Sequence, residues 1–184
     1  MIVDKSSLEL NEKELKLRLA GAGTDDAAKA VSQVREAMEP GYLIRKVDIV
    51  RTEQGIELGF GNISSRNLER NLSGCNSAYV VCATLGHGVD RLIRKAGNIG
   101  ASDAYLIDAA ASAFVESLVD HIEDTIPEET KPRFAPGYGD FPIEMQEDLL
   151  RFMRADNIGM GLTEMKLMVP QKSVTCVIGV IDED

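Results

Sequence analysis

Apolar residues recur every three or four positions from Ser102 to about Thr125. Ala104, Ile107, Ala111, Phe114, Leu118 and Ile122 fall on one face, which predicts a long helix with that face buried. The same periodicity predicts a short helix over "LNEKELKLRLA" (Leu10 to Ala20), stopping at "GAG". A further helix is expected over "TDDAAKAVSQVREAM", with Thr24 as N-cap and Ala27, Val31, Val34 and Met38 on its apolar face, ended by Pro40 and Gly41. "YLIRKVDIVRTEQGIELGF" alternates like two strands around a turn at Glu53–Gly55, so a hairpin is expected. "SSRNLERNLSGC" predicts a short helix closed by Gly74, and "GVDRLIRKAG" another. "SAYVVCATLG" is apolar without alternation, the pattern of a strand buried on both faces. Near the end, "EMQEDLLRFMRA" predicts a helix, followed by two strands, "LTEMKLMV" and "SVTCVIGVI", joined at "PQK". Helices and strands mix without a βαβ rhythm, which places the chain in the α+β class.

The length of 184 residues suits one domain, with a helical and hairpin part over 1–60 and a core over 61–184. Twenty Lys and Arg against 30 Asp and Glu give a net charge of -10, which argues against a nucleic-acid surface. No basic segment followed by an apolar core opens the sequence, and no apolar run approaches the roughly 20 residues of a membrane helix. Cys75, Cys82 and Cys176 are odd in number and irregular in spacing, as expected of reduced thiols in a cytoplasmic protein.

Several motifs have plain readings. "LAGAGTDD" (Leu19–Asp26) is glycine-rich before a helix, but a helix rather than a strand precedes it and two aspartates stand where a phosphate would sit, so it reads as a turn. Cys82 and His87 lack metal-ligand spacing, and His87, between two glycines, reads as a turn residue. A cysteine inside an apolar run is more often a small core residue than a nucleophile. Asp108, Ser112, Glu116 and Asp120 form a polar stripe at i, i+4 spacing on the long helix. That stripe is either a solvated face or, at one of its acids, the lining of a pocket for a cationic ligand.

The segment "RFAPGYGDFP", Arg133 to Pro142, combines two prolines that fix φ with two glycines that permit turns and close backbone approach. Such a loop can present backbone groups to a ligand at little ordering cost, with the Arg133 fork for a carboxylate and the Tyr138 ring for a purine or hydrocarbon face. It can equally be a proline-rich connection between two layers.

Joined to the C-terminal segment of the chain, this loop gives "RFAPGYG…IGMGLTEMKLMVPQKSVTCVIG", which resembles the activation domain of cobalamin-dependent methionine synthase, the domain that binds S-adenosylmethionine. Arg133, Ala135, Pro136, Gly137 and Tyr138 match the family's R-P-A-P-G-Y-P element. Gly159, Met160, Leu162, Thr163 and Glu164 match its G-M-x-L-T-E-S, while Met168, Pro170, Ser173 and Val174 continue in register. "FVES" puts Glu116 in the place of the family's L-H-E triplet. The likeness is strong over the last 70 to 80 residues and looser before them, where the chain is similar to short stand-alone members. Gly139 stands where the signature has proline, and Ile178 where the large enzymes have a tyrosine.

The resemblance implies a curved, helmet-shaped antiparallel sheet flanked by helices, with S-adenosylmethionine held by the Arg133 loop. Arg133 would meet the ligand carboxylate, or act as a clamp on the loop. The backbone of Ala135 and Gly137 would bond the adenine or ribose, Tyr138 would pack alongside, and Glu116 would offset the ammonium or sulfonium. The chain would then serve reductive reactivation: one electron from flavodoxin or a similar donor, combined with methyl transfer to cobalamin on a partner, a cobalamin-binding methionine synthase or other corrinoid protein. It would be a component of a methyltransferase, with no catalytic acid or base of its own and no metal. An activator of another corrinoid methyltransferase, a non-catalytic S-adenosylmethionine sensor and a structural subunit are the competing readings.

Overall fold

The computed structural model describes residues 1–6, 8–19 and 23–182. Its first part runs α1 (Glu12–Arg18), α2 (Thr24–Ala37), β1 (Gly41–Asp48), β2 (Val50–Thr52), β3 (Gly55–Glu57), β4 (Asn62–Ile63) and α3 (Arg66–Asn71). Then come β5 (Ser77–Thr84), α4 (His87–Gly97), α5 (Ala101–Glu123), α6 (Met145–Met153), β6 (Gly161–Leu162), β7 (Met168–Val169) and β8 (Ser173–Val180).

The main sheet is antiparallel, in the order β1-β5-β8. Side chains alternate across a strand, so the central β5 feeds two cores. Val81 and Ala83 enter the core under α2, α4 and α5, with Val34, Met38, Val89, Phe114 and Leu118. Ala78, Val80 and Cys82 enter the core on the other face, with Leu58 and Ile63, Leu68 and Leu72 of and after α3, and Leu149 of α6. A strand with apolar partners on both sides needs no polar positions, which explains its continuous apolar sequence. Phe114, fully buried on α5, contributes up to about 3 kcal/mol of transfer free energy by itself.

The expected elements are present, with local differences. α2 begins at Thr24 and Gly23 is its cap residue, with no side-chain cap bond; the "GAG" stop of α1 lies largely outside the described residues. The hairpin around Glu53 is present as β2–β3, but the long β1 does not belong to it: the chain crosses at Ile49, whose N–H bonds Asn76 O, into a second sheet β2-β3-β4. His87 is the first residue of α4 rather than part of a turn. "LTEMKLMV" is not one strand but the small hairpin β6–β7, because Thr163 O accepts from Lys166 N and Lys166 turns left-handed at φ +61°.

Candidate functional site

After α5 the chain returns along β8. Lys131 N–H bonds Gly179 O at 2.8 Å, and Phe134 and Val177 exchange both backbone bonds at 2.8 Å. Beyond Phe134 the loop closes on itself: Tyr138 N–H donates to Ala135 O, Phe141 N–H to Tyr138 O, and Gly137 N–H to Phe141 O, at 2.9–3.0 Å. The Phe134 ring stacks on buried Phe141 with centroids 6.3 Å apart, and meets Tyr138 edge-on at 6.4 Å.

The far end of the loop is held by Asp140. Its carboxylate accepts from the Ser65 hydroxyl and from the backbone N–H groups of Arg66 (3.0 Å) and Asn67 (3.1 Å), at the first turn of α3. These bonds, the Ser65 hydroxyl above all and then the Asn67 amide, hold its pKa below the ordinary 3.8. Between the anchors, Gly139 sits at φ +56°, and a Cβ there would lie 2.3 Å from Asn67 Nδ2. Proline, fixed near φ −65°, cannot take that conformation, so the departure from the family signature follows from the path of this loop.

Arg133, 30% exposed, reaches across to α5 and binds three of its acids. Nη2 lies 2.9 Å from Glu116, and Nη1 lies 2.9 Å from Asp120 and 3.1 Å from Glu123. Burial acts to lower its pKa, but the hydrogen bond it donates to Asp120 and the attraction of Glu123 outweigh it, and the guanidinium is held more firmly protonated than usual. Glu123 keeps one buried oxygen, Oε1, with no hydrogen-bond partner among the described residues. Lys172 takes the other end of the stripe, 2.9 Å from Asp108 and 2.8 Å from Ser112 Oγ. The stripe is thus not a bare solvated face: two cations from the returning chain are seated in it.

A cleft of about 550 Å³ opens beside this network, within the range of roughly 300–1,000 Å³ usual for small-molecule sites. Glu116 of α5 and Arg133, Ala135, Pro136 and Tyr138 of the loop line it. Lys166, Leu167 and Met168 of the β6–β7 hairpin line it too, with Ile143 and Gln146. Ser173 to Cys176 of β8 make the floor. Floor hydroxyls are internally bonded: Ser173 Oγ donates to Thr84 Oγ1 at 2.8 Å, and the buried Gln146 amide meets Thr175 Oγ1 at 2.7 and 3.0 Å. Ala135 N–H, in contrast, has no hydrogen-bond partner among the described residues.

Four of the five residues picked out in the sequence, Arg133, Ala135, Tyr138 and Glu116, therefore line one cleft. The fifth, Gly137, is set back from it with its N–H bonded to Phe141 O, leaving its carbonyl. Ile178 is fully buried in the α5-side core, away from the cleft. Sequence reading misses Gln146, Lys166 and Thr175; buried Gln and Thr are visible in sequence only as polar breaks in apolar segments. Cys82 and Cys176 are buried, and desolvation pushes the Cys82 thiol up to about 12 and Cys176 well above its usual range, so both are inert protonated thiols. Among the described residues no group of three or more His, Cys, Asp or Glu is placed to hold a metal, and no helix is long and apolar enough to cross a membrane. A second cleft near Arg51 has that cation committed to the carbonyls of Leu72 and Cys75, both at 3.0 Å.

The fold and cleft together define an α+β domain with antiparallel sheets flanked by helices and a ligand-sized site between a proline–glycine loop and a hairpin. No protein-family profile and no curated protein sequence matches the chain. Among solved structures it is similar to the MetH reactivation domain bound to AdoHcy, with a TM-score of 0.76 over 100% of this chain and 78% of that one, at 12% identity. The fold is that of the methionine synthase activation domain.

Proposed function

We propose that this chain is a single activation-type domain that binds S-adenosylmethionine and presents its methyl group to a cobalamin-bearing partner, a methionine synthase or related corrinoid protein. One observation carries the reading. Arg133, Ala135, Tyr138 and Glu116 line one 550 Å³ cleft, in a fold shared with a domain whose solved structure holds AdoHcy, the product left when S-adenosylmethionine gives up its methyl group.

In this reading the Ala135 N–H, without a partner among the described residues, addresses the adenine or ribose, and exposed Tyr138 packs along it. Glu116 and the acids beside it favour the sulfonium. The partner's corrinoid, reduced by one electron from a donor such as flavodoxin, would supply the methyl acceptor, and this cleft would hold the sulfonium and keep the AdoHcy left when its sulfur–methyl bond breaks. The domain contributes orientation rather than acid–base chemistry. The loop fits that task because its shape is fixed before the ligand arrives.

Calorimetric titration with S-adenosylmethionine tests the reading. Binding at one site is expected, weakened at least about tenfold in Arg133→Ala, which unties the loop from the acids of α5 and removes its preorganisation. Methyl transfer is then expected only when the chain is mixed with its corrinoid partner and a one-electron donor. Absence of binding would overturn the proposal, and binding without transfer to any corrinoid partner would favour a sensor.

A further inference from the structure

Resting on that reading, we infer that the open edge of β8 at Ser173 and Thr175 reads the adenine of the ligand through main-chain groups. Alternate residues of an antiparallel strand point their N–H and C=O to opposite edges. Lys172 O accepts from Leu85 N–H, which turns the even-numbered residues here toward β5. Val177 exchanges both bonds with Phe134, and Gly179 O accepts from Lys131 N–H, so the odd-numbered residues face the returning loop. Ser173 and Thr175 belong to that second set. Their main-chain N–H and C=O groups have no partner among the described residues. Both residues line the cleft, and Thr175 is only 3% exposed.

Proline explains why this edge is open. Continued past the Phe134–Val177 bridge, an antiparallel strand would set Pro136 against Thr175. Pro136 has no N–H to give to Thr175 O, and the chain turns away there, with Tyr138 N–H bonding Ala135 O. Buried main-chain groups are almost always paired, so a pair left open at the base of a ligand-sized cleft points to a ligand. The open stretch, from the start of β8 at Ser173 to the bridge at Val177, is too short to take an added strand. It offers Ser173 O, Thr175 N–H and Thr175 O in a row, an acceptor, a donor and a second acceptor. Adenine carries a ring nitrogen beside its 6-amino group, an acceptor next to a donor, and pairs with that row. Tyr138, Ile143, Leu167 and Met168 line the same cleft and suit the faces of its ring. The contact leaves the Ala135 N–H and Arg133 to the rest of the ligand.

Residue-resolved amide exchange on the whole chain, with and without AdoHcy, tests the inference. Bound AdoHcy is expected to slow the Thr175 amide about tenfold, the worth of one hydrogen bond. Adenosine at saturation, which lacks the amino-acid end, is expected to do the same. Thr175→Val keeps the main chain and loses the hydroxyl, and is expected to retain the protection. In calorimetric titration, the AdoHcy analogue with hydrogen in place of the 6-amino group should bind about tenfold more weakly than AdoHcy. A Thr175 amide unchanged by bound AdoHcy, or equal affinity for the analogue, would overturn the inference and leave the parent reading standing. Protection by AdoHcy that adenosine does not reproduce would assign the edge to the amino-acid end, and would overturn it too. If the chain binds neither AdoHcy nor adenosine, the parent reading falls and takes this one with it.

Discussion

The two walls of the cleft are built in opposite ways. The Arg133 loop is tied at Phe134 to β8, at Asp140 to α3, and at Arg133 to three acids of α5. The β6–β7 hairpin pairs Gly161 with Val169 and Leu162 with Met168, bonds Thr163 to Leu167 across its turn, and meets α6 through the exposed Lys166–Glu147 pair; the turn exposes Met165 and Leu167. A wall held on three elements fixes the shape of a site before binding. A wall made of a short hairpin with an exposed turn can adjust to what enters.

The rigid wall is broken most directly at Arg133. Arg133→Ala leaves three acids facing one another and should cost roughly 2–3 kcal/mol, less than in a fully buried network because solvent reaches the site; denaturant unfolding measures it. Next comes Gly139→Pro, which writes the family's own residue into the loop. The φ of +56° and the Asn67 contact forbid it here, so a loss of roughly 1–2 kcal/mol and weaker ligand binding are expected. A variant as stable as wild type would mean that the loop has another path.

Asp140→Asn should have a smaller effect, and one that depends on pH. The aspartate pKa is depressed in the fold, so its stabilisation is present above the ordinary value of 3.8 and is lost as pH falls through the depressed one. Wild type should therefore exceed the variant in melting temperature at pH 7, and the gap should close toward pH 3. Smallest of all, a thiol reagent at pH 8 should leave Cys82 and Cys176 unmodified in the folded chain, since both are buried and protonated. Rapid labelling would show that the floor of the cleft opens.

The walls also differ in how plainly they can be read from sequence. The rigid one announces itself, because Pro136, Gly137 and Gly139 punctuate the chain and Arg133 is the lone cation among them. Its partners are half visible: Glu116 and Asp120 lie on the i, i+4 stripe, whereas Glu123, one turn further on, joins only because the loop returns to that height on α5. The hairpin reads as one strand because nothing in "LTEMKLMV" marks a turn; Lys166 takes a left-handed conformation that glycine or asparagine would have signalled. Burial on both faces of β5 is legible from its apolar run, but the exit of the chain from β1 into a second sheet is not. That exit depends on Ile49 bonding Asn76, a contact distant in sequence.

Val80 and Val81 are neighbours in the chain, yet they belong to cores on opposite sides of the sheet. Neither core can dissolve while the other keeps its share of β5 in place, so the helices and the small sheet should melt as one cooperative unit. Amide exchange should accordingly slow to the same global limit in α5 and in the elements behind the cleft, with the β6–β7 tip exchanging freely while both cores stay closed.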